Sequence, residues 1–188
     1  MAVRTRDVML RQAARLFAER GFRGTSVEDI GAACGVSGPA VYKHFSGKDD
    51  ILARLLVDIS EQLVEGGRER AAHGDPAVAL EQLVEFHTDF ALGEPDLIRV
   101  QDRDLPSLNE RDRARVRRLQ RSYVEQWTEV LRRVDPSLEL ETARLRAHAV
   151  FGLLNSTPHS ARGREEARRQ LSAMALRALT GAPPAPSR

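Results

Sequence analysis

One cysteine, Cys34, stands in 188 residues, so no disulfide can close within the chain. With no second thiol and no neighbouring basic group, Cys34 reads as a small buried hydrophobe rather than a redox sensor. No apolar run approaches the roughly 18 residues of a membrane span. The polar, basic start Met1–Arg6 has no apolar stretch behind it to make a signal peptide. The expected compartment is the cytoplasm, with no membrane partner. Runs of Val, Ile and Thr at period two are missing, which argues against a sheet. Proline and glycine are sparse outside a few spots, so long helices are possible. No HExxH, GxSxG or phosphate-loop motif occurs, and no carboxylate pair stands out. His87, His148 and His159 lie too far apart for metal-ligand spacing. No catalytic residue, metal or cofactor is expected.

Lysine is nearly absent as well: Lys43 and Lys48 are the only two among 29 basic residues. The formal net charge is +2, and placement matters more than so small a total. Residues 1–48 hold eight basic side chains (Arg4, Arg6, Arg11, Arg15, Arg20, Arg23, Lys43, Lys48). Against them stand four acidic ones (Asp7, Glu19, Glu28, Asp29), a local excess of +4 that leaves −2 for the rest of the chain. Affinity of that stretch for an anionic polymer would fall steeply with salt. The later run Arg111, Arg113, Arg115, Arg117, Arg118 and Arg121, with Glu110 and Asp112 beside it, reads as a solvated helix face rather than a second basic binding surface.

What is present is helical periodicity. Met9, Ala13, Leu16 and Phe17 form one stripe on a first helix, about Thr5 to Arg20, and Gly21 stops it. A short second helix begins at Thr25 or Ser26, where Thr25 and Glu28 fit a capping box, and buries Val27, Ile30 and Cys34. Gly35 ends it. After Val36, Ser37 can cap a third helix with Pro39 in its first turn and Val41 and Phe45 facing inward. Ser46, with Asp49 three residues on, can cap a fourth, about Lys48 to Arg70. Helices follow at about 77–92, 95–105, 109–134, 139–156 and 163–180, parted by Gly74-Asp75-Pro76, Asp135-Pro136, Pro158 and Gly163. The expected fold is all-α, with about nine helices. Its expected domains are 1–47, with three helices, and 48–180, followed by a disordered tail, 181–188.

Residues 25–45 thus read helix, very short glycine turn, helix. That geometry sets two helices at a steep angle and lets the second protrude into the major groove of B-DNA. Its tip would present Ser37, Gly38, Pro39 and Ala40, with Lys43 one turn on. Small residues there let the backbone approach closely. Gly38 and Pro39 carry no long polar side chains, which shifts readout to Lys43, backbone contacts and DNA shape.

The stretch from Phe17 to Lys48, above all Ala40-Val41-Tyr42-Lys43-His44-Phe45 followed by Lys48, resembles the DNA-binding domain of the TetR family of regulators. The resemblance implies an all-helical homodimer that releases palindromic operator DNA when a small molecule binds the larger domain. It further implies that Tyr42 and Lys48 hold phosphates, and that Thr25 or Ser26, with the N–H groups of the second helix, holds another. Lys43 and His44 would line the groove edge.

Effector-lining candidates are Phe86, His87 and Phe90 on one helix, Ile98 and Gln101 on the next, Tyr123 and Trp127 on a third, and Phe151 and Asn155 on a fourth. His87 and Asn155 are polar within apolar stretches. An acyl thioester or another apolar metabolite would suit such a pocket. The resemblance also implies that the last two helices pair across a two-fold axis, for which Ala143, Ala147, Val150 and Leu154 and then Leu171, Met174, Ala175 and Leu179 offer apolar faces. The alternative is a helical small-molecule carrier or enzyme whose N-terminal motif is only structural.

Overall fold

The computed structural model describes residues 2–156 and 164–181. Features expected at Pro158, His159 and Gly163, and in the tail beyond Gly181, lie outside these residues. Among the described residues there are nine α-helices, one 3-10 turn and no strand, so the all-α expectation stands. The helices are α1 (Ala2–Arg20), α2 (Val27–Ala33), α3 (Gly38–Val41), α4 (Lys48–Ala71), α5 (Pro76–Gly93), α6 (Pro95–Asp104), α7 (Glu110–Val134), α8 (Leu140–Leu154) and α9 (Arg164–Thr180). The 3-10 turn, Leu105–Ser107, follows α6.

Two compact units divide the chain, and their limits differ from the expected domains. The first unit is Met1–Gln62 with Glu94–Leu119; the second is Leu63–Gly93 with Gln120–Arg188. Helices α4 and α7 each run from one unit into the other.

In the first unit the α1 stripe Met9, Ala13, Leu16 and Phe17 is buried as its spacing requires, together with Ile30, Val41, Phe45, Ile51 and Leu52. Phe17 and Phe22 meet edge to face, their ring centres 5.5 Å apart. Each large apolar side chain so buried contributes roughly 1.5–3 kcal/mol.

The second unit packs α5, α7, α8 and α9 around one core that includes Leu80, Leu83, Val84, Trp127, Val130 and Leu131. Ala143, Ala147, Val150 and Leu154 of α8, with Ala175 and Leu179 of α9, belong to that same core and are at most 1% exposed. This corrects the expectation that they face a second copy of the chain. Periodicity locates an apolar stripe on a helix; it does not say which neighbour covers it. Of the eight residues expected at a subunit interface, only Met174 is exposed, at 44%, and Leu171 is half-buried. On the opposite side of α8, Leu145 is 69% exposed, in line with exposed Ala149 and Gly152.

Three arginines close helix C-termini, where four carbonyls lack intrahelical partners. Arg103 donates to the carbonyls of Phe17 and Ala18 in the last turn of α1. Arg133 donates to Ala71 and His73 at the end of α4, both at 2.8 Å. Arg146 donates to Leu179 of α9, also at 2.8 Å. Each also brings positive charge to the negative end of a helix dipole.

Candidate nucleic-acid interface and effector pocket

The helix-turn-helix is built from its caps outward. Ser26, not Thr25, is the N-cap of α2: its Oγ accepts from the Asp29 N–H at 3.0 Å, and the Asp29 carboxylate accepts from the Ser26 N–H at 2.8 Å. This reciprocal capping box replaces the expected Thr25–Glu28 pair. Its hydrogen bonds hold the Asp29 carboxyl below its ordinary pKa, the Ser26 hydroxyl contributing most. Thr25 is 2% exposed, and its hydroxyl reaches back to the carbonyls of Gly21 (3.0 Å) and Leu16 (3.3 Å). Thr25 therefore locks the α1–α2 link and is not presented to a phosphate; of the two candidates, Ser26 is the accessible one. At the start of α4 the acid that reaches back is Asp50, accepting from the Ser46 N–H at 3.0 Å, rather than Asp49.

Between α2 and α3 the chain turns at Gly35, whose φ of +70° is left-handed and suits glycine. Closure needs a second glycine. A Cβ on Gly31 would lie 2.9 Å from the Val36 carbonyl oxygen and 3.2 Å from the Gly38 nitrogen. The Val36 N–H donates to the Gly31 carbonyl at 2.9 Å across this gap. Gly31 thus lets the two helices cross closely enough for α3 to project.

Helix α3 keeps only Val41 buried. Ser37 is its N-cap and spends no side-chain hydrogen bond on capping, while Pro39 sits in the first turn, where its missing N–H costs nothing. Ser37, Pro39, Tyr42 and Lys43 are exposed, and Gly38, Ala40 and His44 half-buried. Tyr42, at 53%, is one of few large hydrophobic side chains left open to solvent among the described residues. Lys48 is half-buried: its ammonium donates to the Phe22 carbonyl at 2.8 Å and lies 4.5 Å from the centre of the Phe22 ring. One of its three N–H protons therefore ties α4 to the α1–α2 link.

In the second unit, six of the nine expected effector-lining residues converge. His87 lies within 4.9–6.0 Å, centre to centre, of the rings of Phe90, Tyr123, Trp127 and Phe151. Its Nδ1 is 3.3 Å from the Tyr123 hydroxyl and its Nε2 is 3.1 Å from Asn155 Oδ1. Tyr123 stacks on Phe151 at 5.4 Å. Burial pushes the His87 pKa down to about 4, against a smaller opposing effect of the Asn155 hydrogen bond. The same burial pushes the Tyr123 hydroxyl up. The cluster is therefore uncharged at neutral pH. The other three candidates lie elsewhere. Phe86 sits under the Arg70 guanidinium, 4.0 Å from it, and lines a separate cleft of about 410 Å³ with Glu69, Glu85 and Asp89. Ile98, buried, and Gln101, half-buried, belong to the first unit.

Residues 9–55 match the family model of bacterial regulatory proteins of the tetR family, and residues 73–179 match the tetracyclin repressor-like C-terminal domain. The chain belongs to the TetR family of transcriptional regulators. Among its relatives is the HTH-type transcriptional repressor KstR2 of Rhodococcus jostii, 40% identical over 80 residues, which cover 42% of this chain and 39% of that one. The chain spans less than half the length of the first curated relatives that it matches. Among solved structures, the TetR-family regulator PfmR of Thermus thermophilus is similar with a TM-score of 0.82 and 27% identity over 96% of this chain and 98% of that one. The fold also matches FadR of Bacillus subtilis, solved in complex with stearoyl-CoA, with a TM-score of 0.72 and 19% identity over 93% of this chain and 97% of that one.

Some residues that shape this TetR-family chain escape a reading of its sequence. Gly31 gives no signal beyond being a glycine within a helix. Gly66 and Gly67 do give one, as adjacent glycines inside a 24-residue helix, just before its last turn. A Cβ on Gly66 would fall 2.3 Å from the Phe86 ring, and one on Gly67 would fall 2.5 Å from that of Tyr123. The pair lets those aromatic rings press against the backbone of α4.

Proposed function

We propose that the protein is a ligand-responsive transcriptional repressor that binds a palindromic operator as a homodimer. The observation that carries this reading is α3: a short helix, set by Gly31 and Gly35, whose Ser37, Pro39, Tyr42 and Lys43 are open to solvent. Side chains of this kind at the tip of a projecting helix suit the major groove, with Tyr42 gripping a phosphate and Lys43 reaching a guanine edge or a phosphate. Ser26, Lys48 and His44 would add contacts at the groove margin. The local excess of positive charge over residues 1–48 favours the same partner.

Dimerisation would use the solvent faces of α8 and α9, with Leu145, Ala149 and Gly152 on one and Met174 on the other. A two-fold pair would set two α3 helices at half-sites about one helical turn of DNA apart. The effector would enter among His87, Phe90, Tyr123, Trp127, Phe151 and Asn155 and favour an arrangement in which the two helices no longer match the groove. The stearoyl-CoA held by FadR makes an acyl thioester a candidate of the right kind, with only its uncharged acyl end among these residues.

Fluorescence anisotropy with the duplex upstream of the protein's own gene tests the reading. Nanomolar, salt-sensitive binding that is lost in a Tyr42→Phe, Lys43→Ala double variant is expected. Binding no tighter than to random duplex would remove the regulator reading.

A further inference from the structure

The aromatic cluster of the second unit also constrains what it can hold. Asn155 Oδ1 only accepts, so the facing His87 Nε2 carries the ring proton. The neutral imidazole then has Nδ1 free to accept, and the Tyr123 hydroxyl donates to it. Protons therefore point one way along the chain Tyr123 to His87 to Asn155, and the Tyr123 oxygen keeps its lone pairs. Beside it, the indole Nε1 of Trp127 is buried and makes no hydrogen bond of full geometry; it interacts only weakly with the Tyr123 hydroxyl, whose pKa it lowers against the larger effect of burial. Trp127 as a whole is 0% exposed. A buried N–H left unpaired costs roughly 1–3 kcal/mol, which a ligand oxygen would recover. None of the six clustered residues is ionised, and a charge placed among them would have no partner. The nearby Arg70 is engaged elsewhere, stacked on Phe86, donating to the Gly66 carbonyl at 2.8 Å and paired with Glu69.

We infer that this cluster, on the side where Phe90, Phe151 and Asn155 are only half-buried, opens to take an uncharged apolar molecule that carries one hydrogen-bond-accepting oxygen, which receives the Trp127 N–H. A hydroxyl in that position additionally donates to the Tyr123 oxygen; an ester or thioester carbonyl does not. Carboxylates and quaternary amines of the same skeleton are rejected because neither finds a counter-charge. The inference rests on the effector-pocket part of the proposed function and narrows its chemistry.

Trp127 is the chain's single tryptophan, so its emission reports on this pocket. The full chain is titrated with octan-1-ol, methyl octanoate, octanoate and octyltrimethylammonium. Octan-1-ol and methyl octanoate are expected to change the emission saturably and to bind at least tenfold more tightly than the two ions. By calorimetry, Trp127→Phe is expected to weaken both neutral probes on the order of fivefold, the worth of one hydrogen bond. Tyr123→Phe is expected to weaken octan-1-ol more than methyl octanoate, and this arm decides the matter if Trp127→Phe does not fold. Octanoate binding as tightly as its ester overturns the inference. So does a folded Trp127→Phe with unchanged affinities, equal loss of both neutral probes in Tyr123→Phe, or no saturable response to either of them. Operator binding on the same samples separates the two readings. A neutral probe that binds as described while the chain ignores operator DNA supports the pocket chemistry and overturns the regulator.

Discussion

The guanidinium of Arg103 donates to the carbonyl of Ala18, 85 positions earlier in the chain, at 3.4 Å, and also to that of Phe17. The same group pairs at 2.9 Å with Asp104, whose side chain is only 9% exposed. It lies 3.7 Å from where a Cβ on Gly21 would stand, at the left-handed residue that ends α1. One side chain therefore joins the end of α1 to the end of α6 within the first unit.

Replacing Arg103 by alanine should expose that arrangement. It strips two α1 carbonyls of a donor and leaves the Asp104 carboxylate buried without its partner. A loss of about 1–3 kcal/mol is expected in urea unfolding. Arg103→Lys should recover only part of it, because an ammonium cannot span two carbonyls and a carboxylate in one plane. A fully stable Arg103→Ala would show that the bonds contribute nothing.

Gly31→Ala adds one methyl group where the Val36 carbonyl already stands. The α2–α3 crossing must open, and about 1–3 kcal/mol of stability should be lost. Operator affinity should fall further than stability alone explains, since α3 is re-aimed. Ala32→Gly, on the exposed side of the same helix, serves as the comparison. Equal operator affinity in both variants would show that the crossing angle does not matter.

Lys43→Ala should weaken operator binding and reduce the slope of log K against log salt by about 1 if the ammonium meets a phosphate. An unchanged slope with a changed base preference would assign Lys43 to a guanine edge instead. Titration of operator binding against potassium chloride separates the two outcomes.

The burial pattern distinguishes two faces of α8. Leu145→Glu combined with Met174→Glu should yield a folded monomer in sedimentation velocity. Ala147→Leu, on the buried face, should cost about 1–3 kcal/mol by overpacking and leave association unchanged. A doubly substituted chain that still dimerises would move the interface off these helices.

His87 makes stability depend on pH. The imidazole titrates near 6.5 when unfolded and at about 4 in the folded protein. Between those values the unfolded chain binds more protons, so stability falls as the pH drops through that window. The full contribution is on the order of 3 kcal/mol, at 1.36 kcal/mol per pKa unit. It is present above pH 6.5 and lost by about pH 4. His87→Gln should flatten that part of the profile, as read from urea midpoints at pH 7 and pH 4.5. Parallel profiles for the two proteins would contradict a buried neutral imidazole.

How far the sequence could be read depended on the range of the interaction. Helix limits were legible because Gly21, Gly35, Gly74-Asp75-Pro76 and Asp135-Pro136 act on their own neighbours. The six residues of the His87 cluster were legible because helical spacing aligned them. The capping box missed by one position: both Thr25–Glu28 and Ser26–Asp29 have the required interval, and only the turn of the Thr25 hydroxyl toward Gly21 decides between them. The subunit-facing stripe was misassigned because the core of the protomer claims the same small residues that close pairing of two copies would use. Arg103, Arg133 and Arg146 gave no signal among so many arginines, since the carbonyls they close lie far off in sequence.

Gly66 and Gly67 leave one mark on how this protein could be altered. Glycine weakens a helix interior by about 1 kcal/mol per residue, so the pair is the first place an engineer would look for added thermal tolerance. Both positions are shut to that approach, because Phe86 and Tyr123 already fill the space any side chain would need. A helix that passes from one compact unit into the other thus carries its softest turn at a place where substitution cannot easily harden it.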